Sequence, residues 1–153
     1  MASVSVPDDL PEFLRDHIRR YLETDGADGH LWDSTVAGGP GPVPTLLLTT
    51  RGRKTGKPRT LPMIYDRTAT GFAVIASKAG APTHPAWYLN LVAEPVVDVQ
   101  VADRKFRARA RTADGAEREA IWRRMAAIYP PYVDYQARTE RVIPVVVLEP
   151  LAN

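Results

Sequence analysis

Residues 46–62 read LLLTTRGRKTGKPRTLP. The stretch opens on three consecutive leucines, Leu46, Leu47 and Leu48. It closes in a basic run of Arg51, Arg53, Lys54, Lys57 and Arg59, with no acidic residue between them. Gly52 and Gly56 sit where a chain would reverse. A buried strand, a tight basic turn and a returning chain are therefore expected. So short a connection cannot carry a parallel crossover, so the pairing must be antiparallel.

The same logic extends downstream. Met63, Ile64 and Tyr65, then a turn through 66–71, then Phe72 to Ala76, read as a hairpin of mostly buried strands. Residues 77–82 are a polar turn, and His84 to Leu91 a short helix. Residues 96–101 are β-branched and alternate. In residues 105–112, Phe106, Ala108 and Ala110 alternate with Arg107, Arg109 and Arg111, as in a half-buried antiparallel strand. Asp114 and Glu117 have the spacing of a capping box, opening a helix to about Tyr129 with Ile121, Trp122, Met125 and Ile128 inward. Pro130 and Pro131 end it, Tyr132 to Gln136 form a short turn or helix, and residues 142–148 are a final strand. Pro144 inside that strand implies an edge or a bulge.

Upstream, residues 1–8 read as a loose tail, and Asp9 with Glu12 as a first capping box. Phe13, Leu14, His17, Ile18, Tyr21 and Leu22 draw an apolar stripe along a helix. Residues 24–44 are broken by Gly and Pro and read as a loop, with Leu31 and Trp32 as the pair that pins it. The expected architecture is α+β: a mostly antiparallel sheet of about six to seven strands, closed or half closed, with flanking helices. One domain spans 1–153, with an N-terminal helix and Gly/Pro-rich loop in 1–44 and the barrel core in 45–150.

Composition narrows the function. The chain has 153 residues, a net charge of +2 and no cysteine, so thiol chemistry and Cys-rich zinc sites are excluded. His17, His30 and His84 lack metal-ligand spacing, and no metal is expected. No signal pattern or membrane span is read, which leaves a cytoplasmic protein. The first helix's basic polar side leaves open a peripheral position at the inner face of the membrane.

Three constellations can carry chemistry. The basic turn can aim backbone N–H groups and cationic side chains at an anion, with Thr55 and Thr60 adding hydroxyls. It is not a phosphate-binding P-loop, because the GxxxxGK[ST] spacing fails. A solvated basic turn is the plain alternative. Ser77 and Lys78 stand near a strand end. No base or oxyanion signature accompanies them, so ligand contact fits better than nucleophilic hydrolysis. Trp87, Tyr88, Tyr129, Tyr132 and Tyr135 suit either a planar ligand or core packing. The arginine row Arg107, Arg109, Arg111 reads as a solvated face, not a nucleic-acid surface.

Taken in order, LLLTTRGRKTGKPR, ASKAGAPTHPAWYLNL, EPVVDVQV and YPPYVDYQARTERVIPVVVLEP resemble the deazaflavin-dependent nitroreductase family of actinobacteria. The resemblance covers roughly residues 46–150. It implies a split β-barrel that binds coenzyme F-420, an 8-hydroxy-5-deazaflavin with a phosphodiester and an oligoglutamate tail. By motif match, Arg53, Lys54 and Thr55 would meet the phosphate, and Arg59 the tail or phosphate. Leu61, Pro62, Met63 and Ile64 would line the cofactor's path, and Ile75, Ala76, Ser77 and Lys78 would run along the ring and its side chain. Ala86, Trp87, Tyr88, Leu89 and Asn90 would close around it, and Tyr132 would approach from the C-terminal helix. Tyr129, Tyr132 and Tyr135 would wall an acceptor site, with Ser77 hydrogen-bonding an acceptor oxygen or the ring carbonyl. The sequence departs from the family at Ala79 and His84, where glycine and asparagine are expected.

The implied activity is hydride transfer from the reduced deazaflavin to a quinone-like or nitroaromatic (nitroimidazole) acceptor, by a monomer or weak dimer. The alternatives are an oxidoreductase of the same barrel type using flavin mononucleotide, and a non-catalytic carrier of a cofactor or lipid.

Overall fold

The structure, a computed structural model, describes residues 4–152. The first three residues of the tail read at 1–8 lie outside them. Its elements run α1 (Glu12–Glu23), β1 (Leu31–Asp33), β2 (Pro42–Arg51), β3 (Pro58–Ile64), β4 (Asp66–Arg67) and β5 (Phe72–Ile75). There follow α2 (Ala86–Ala93), β6 (Val96–Val101), β7 (Arg104–Thr112), α3 (Gly115–Ile128), α4 (Pro131–Ala137) and β8 (Val145–Pro150). The eight strands form one sheet in the order β1-β2-β6-β7-β8-β5-β4, with β3 on β2. Every pairing is antiparallel. The α+β architecture is the one read from the sequence. The strands beyond the expected six or seven are the shortest, β1 and β4, which fall in stretches read as loop and turn.

The leucine run shows how the sheet divides its neighbours. Alternate strand residues point to opposite faces. Leu46 and Leu48 accordingly face the sheet's concave interior with Val74, Val97, Val99, Val146 and Leu148. Leu47 faces out and packs under α1 against Ile18 and Tyr21. On β5 and β8 the outward set, Ala73, Ile75, Val145 and Val147, is covered by Ile121, Met125, Tyr129 and Tyr132 of the C-terminal helical region. Both faces are buried, which is why these strands read as continuous apolar runs.

Several local expectations are corrected. Neither capping box forms: α1 and α3 have no side-chain hydrogen bond at their N-caps. Asp9 instead takes two hydrogen bonds from Arg59, and Glu117 two from Arg111. Bidentate guanidinium–carboxylate pairs outcompete a neutral cap bond. Phe13 is exposed, outside the stripe that buries His17, Ile18 and Tyr21. The described part of the tail is tied down: Ser5 donates to Thr60 Oγ1 and accepts from the Thr60 N–H. Met63 and Ile64 pair with β2 and not with β5, which takes its hairpin partner from β4. Pro144 precedes β8, which is a central strand between β7 and β5, not an edge. Its carbonyl accepts from the Ala76 N–H. Pro62 does sit within a strand, but β3 lies at the sheet's margin, where its missing N–H costs no ladder bond.

Candidate functional site

The basic turn closes the β2–β3 hairpin with Arg51 opposite Pro58. Arg53, Lys54, Thr55 and Lys57 are exposed. Among the described residues, Lys54 and Lys57 ion-pair with no carboxylate. Arg53 is anchored: its N–H and its Nη1 both donate to Asn90 Oδ1, at 3.2 and 3.1 Å. Asn90 is buried on α2, and its Nδ2 donates to Thr50 Oγ1. Arg59 is held by Asp9, and that guanidinium keeps the Asp9 carboxyl below its usual range. Pro7, Asp8 and Asp9 share a surface groove of about 310 Å³ with Gly52, Thr55, Lys57, Pro58 and Arg59. Thr60 does not reach that groove: it is fully buried and its hydroxyl bonds Thr49 at 2.7 Å.

The other end of β3 opens on a cleft of about 280 Å³. Of the residues singled out in the sequence, Pro62, Met63, Ile64, Ile75, Ser77, Lys78, Trp87, Tyr129, Tyr132 and Tyr135 line it. Leu61 packs on the core and Ala76 is wholly buried. Ala86 and Leu89 are exposed on α2, and Tyr88 bonds Thr112. The cleft also takes Leu14 and His17 from α1, Trp32 from β1, Thr45 from β2 and Ala79. Leu14 and His17 were visible in the sequence as part of a helix stripe and Trp32 as one of the pair pinning a loop, signals that do not say what they face; Thr45 carried none, and Ala79 only its departure from the resemblance.

Cleft and turn are joined by two rigid elements. From Arg59 to Met63, β3 spans four residue steps, about 13 Å at strand rise. On α2, Trp87 walls the cleft and Asn90, three residues on and so on the same helix face, holds Arg53. β3 and α2 thus form an elongated frame, cationic at one end and aromatic at the other. That frame fits a planar ring carrying a long anionic tail.

The tyrosines differ in what their hydroxyls do. Tyr129 donates to Ala37 O and shares a 2.9 Å hydrogen bond with Tyr135. Tyr132 packs edge-on to both rings, and its hydroxyl has no protein partner among the described residues. Burial, reinforced by neighbouring tyrosines, pushes Tyr129 and Tyr132 well above the usual phenol range, so both remain protonated donors.

The segment after β5 is set by a residue the sequence reading did not single out. Arg141 donates to Ala81 O, Ala76 O, Ser77 O and His84 Nδ1, at 2.7–3.2 Å. An arginine between Glu140 and Val142 gives no sign that it will bind carbonyls some sixty positions away. Its donation fixes His84 with Nδ1 as acceptor, and burial followed by the Arg141 charge lowers the His84 pKa. Lys78 and Ala79 take left-handed conformations, φ 47 and 52. A Cβ on Gly80 would stand 2.6 Å from Tyr135 O, so only glycine lets α4 close on this segment.

A family model described as F-420H(2)-dependent quinone reductase matches residues 13–150. An F-420H(2)-dependent quinone reductase of Mycobacterium tuberculosis is 37% identical over 140 residues, covering 90% of this chain and 89% of the relative. A solved structure described as a domain-swapped dimer is 39% identical with a TM-score of 0.67, over 88% of this chain and 96% of its own. Another, described as an F-420H(2)-dependent reductase, is 42% identical with a TM-score of 0.64, over 69% of this chain and 93% of its own. The split-barrel, deazaflavin-type resemblance read from the four sequence blocks therefore stands, and the chain belongs to the F-420H(2)-dependent quinone reductase family.

Proposed function

We propose that the chain reduces quinones, with the aromatic cleft as the acceptor site and the basic turn as the anchor for the cofactor's anionic tail. The observation that carries this is the joint frame of β3 and α2, which ties Arg53 to the same helix face as Trp87. Arg53, Lys54 and Thr55 would hold the phosphate, with Lys57 beside them. Arg59 reaches the tail only by leaving Asp9. Pro62, Met63, Ile64, Ile75, Ser77, Lys78 and Trp87 would hold the ring along the cleft wall. When bound, the reduced deazaflavin supplies a hydride.

The chain's own contribution is orientation, exclusion of water and hydrogen bonding. Ser77 and Tyr132 would offer hydroxyls to an acceptor oxygen, while the Tyr129–Tyr135 pair braces the wall. A nitroaromatic presents the same planar, electron-poor shape and is a second acceptor of the same cleft. No helix among the described residues is long and apolar enough to cross a membrane.

The test is a titration of purified protein with reduced deazaflavin and, separately, with reduced flavin mononucleotide, followed by addition of menadione. Saturable deazaflavin binding and its oxidation only when menadione is present are expected. Tight flavin mononucleotide binding without deazaflavin binding, or binding with no turnover, would overturn the proposal.

A further inference from the structure

We infer that His17 delivers the proton that completes reduction of the acceptor, through its Nδ1; this rests on the quinone-reductase reading above. His17 lies on α1, is 6% exposed and lines the cleft. Its Nε2 is 2.8 Å from the Gly29 carbonyl oxygen. A carbonyl can only accept, so Nε2 carries a hydrogen and Nδ1 is the atom that gains or loses a proton. Nδ1 has no hydrogen-bond partner among the described residues.

The Gly29 carbonyl is itself held in place. Thr45 Oγ1 donates to it at 2.7 Å, the Thr45 N–H donates to His30 O at 2.6 Å, and His30 Nε2 is 2.8 Å from the Tyr65 hydroxyl. Gly29 has φ +120, and a Cβ there would stand 3.2 Å from His17 Cδ2. The backbone and the ring are thus fitted to each other, and the tautomer is set by a fixed acceptor.

The reaction requires such a group. Hydride addition brings a quinone two electrons and one proton, leaving a hydroquinone monoanion. Nδ1 of the neutral, Nε2–H imidazole first takes a proton from water; an O–H bond then forms on the acceptor as that Nδ1–H bond breaks, and the imidazole returns to its neutral form. The other titratable groups of the cleft are Lys78, Tyr129, Tyr132 and Tyr135. Burial makes Tyr129 and Tyr132 hold their protons, and Lys78 Nζ is turned to Thr83. Around His17 stand the Tyr21 ring at 6.4 Å, Arg15 on the same helix, the Asp16–Arg19 pair, and Asp28 paired with Arg20.

His17→Gln keeps a donor for Gly29 and removes the titrating nitrogen. With menadione, kcat should fall about 100-fold or more. Across pH, kcat should decline with rising pH in the wild type and not in the variant, with deazaflavin affinity unchanged. An independent readout is the 15N spectrum of the imidazole in cofactor-free protein. It should report the Nε2–H tautomer, and menadione should shift the Nδ1 resonance. A neutral Nδ1–H tautomer, or a Gln variant with wild-type kcat and pH profile, overturns this inference alone. Wild-type protein that binds deazaflavin without turnover overturns the reductase reading as well.

Discussion

Ala79 stands at φ 52, ψ 31, in a region an L-residue with a Cβ enters at a cost of roughly 1–2 kcal/mol. Ala79→Gly removes that strain but adds unfolded-state entropy. A net gain of about 0.5–1 kcal/mol is expected by chemical denaturation. Tyr132 gives the opposite kind of test. Because its hydroxyl bonds no group among the described residues, Tyr132→Phe should leave stability within about 0.5 kcal/mol while lowering kcat/KM for menadione roughly tenfold. Tyr129→Phe should instead cost about 1–3 kcal/mol of stability, since it strands the Ala37 carbonyl and the Tyr135 hydroxyl. If the two variants behaved alike, the division of labour among the tyrosines would be disproved.

At the scale of elements, the basic turn is held by the N-terminal segment through Asp9 and by α2 through Asn90. The described N-terminal segment lays Asp9 on Arg59, while Lys54 forms no ion pair among the described residues. Lys54→Ala should therefore weaken deazaflavin binding roughly three- to fivefold, more as the glutamate tail lengthens and less as salt rises. Asp9→Ala should tighten binding of long-tailed cofactor by freeing Arg59; unchanged affinity across tail lengths would show that Arg59 does not read the tail. A second ion cluster joins β7, α3 and β8, where Arg111 bonds both Glu117 and Glu149. Hydrogen bonds from Arg111 hold both carboxyls below their ordinary values. Carboxylates depressed in the folded state contribute stability above about pH 4.3, their unfolded value, and lose it as pH falls through the folded pKa. Arg111→Gln should move the acid-unfolding midpoint to higher pH.

For the molecule as a whole, the turn, the cleft and the helix between them form one rigid frame, so the ligand should stabilise the entire fold. At about one hundred times Kd, deazaflavin binding should add roughly 2.7 kcal/mol, and thus raise Tm by roughly 5–10 °C. Removal of the cofactor should reverse the shift. A thermal melt insensitive to deazaflavin would mean that it does not bind the native fold. Asn90→Ala tests the frame itself: it releases Arg53 and should halve or better that stabilisation while leaving the Trp87 wall in place.

The sequence by itself determined the antiparallel sheet and the basic turn, because these rest on local signals, whereas most of the cleft wall was expected only through the resemblance of its motifs to a family. Strand alternation, short turns between leucine-rich or β-branched runs, and tyrosines spaced along one segment all read without knowledge of contacts. It misassigned what depends on partners distant in the chain. Asp9 and Glu117 had capping spacing, but arginines from other elements held them by stronger, charge-assisted bonds. Pro144 looked like an interruption of a strand that in fact starts just after it. Only the tertiary structure brought Arg141 to the carbonyls of residues 76, 77 and 81, and the Gly29 carbonyl to His17. Such contacts carry no periodicity, since a buried side chain's role is set by the atom it meets, and that atom can come from anywhere in the chain.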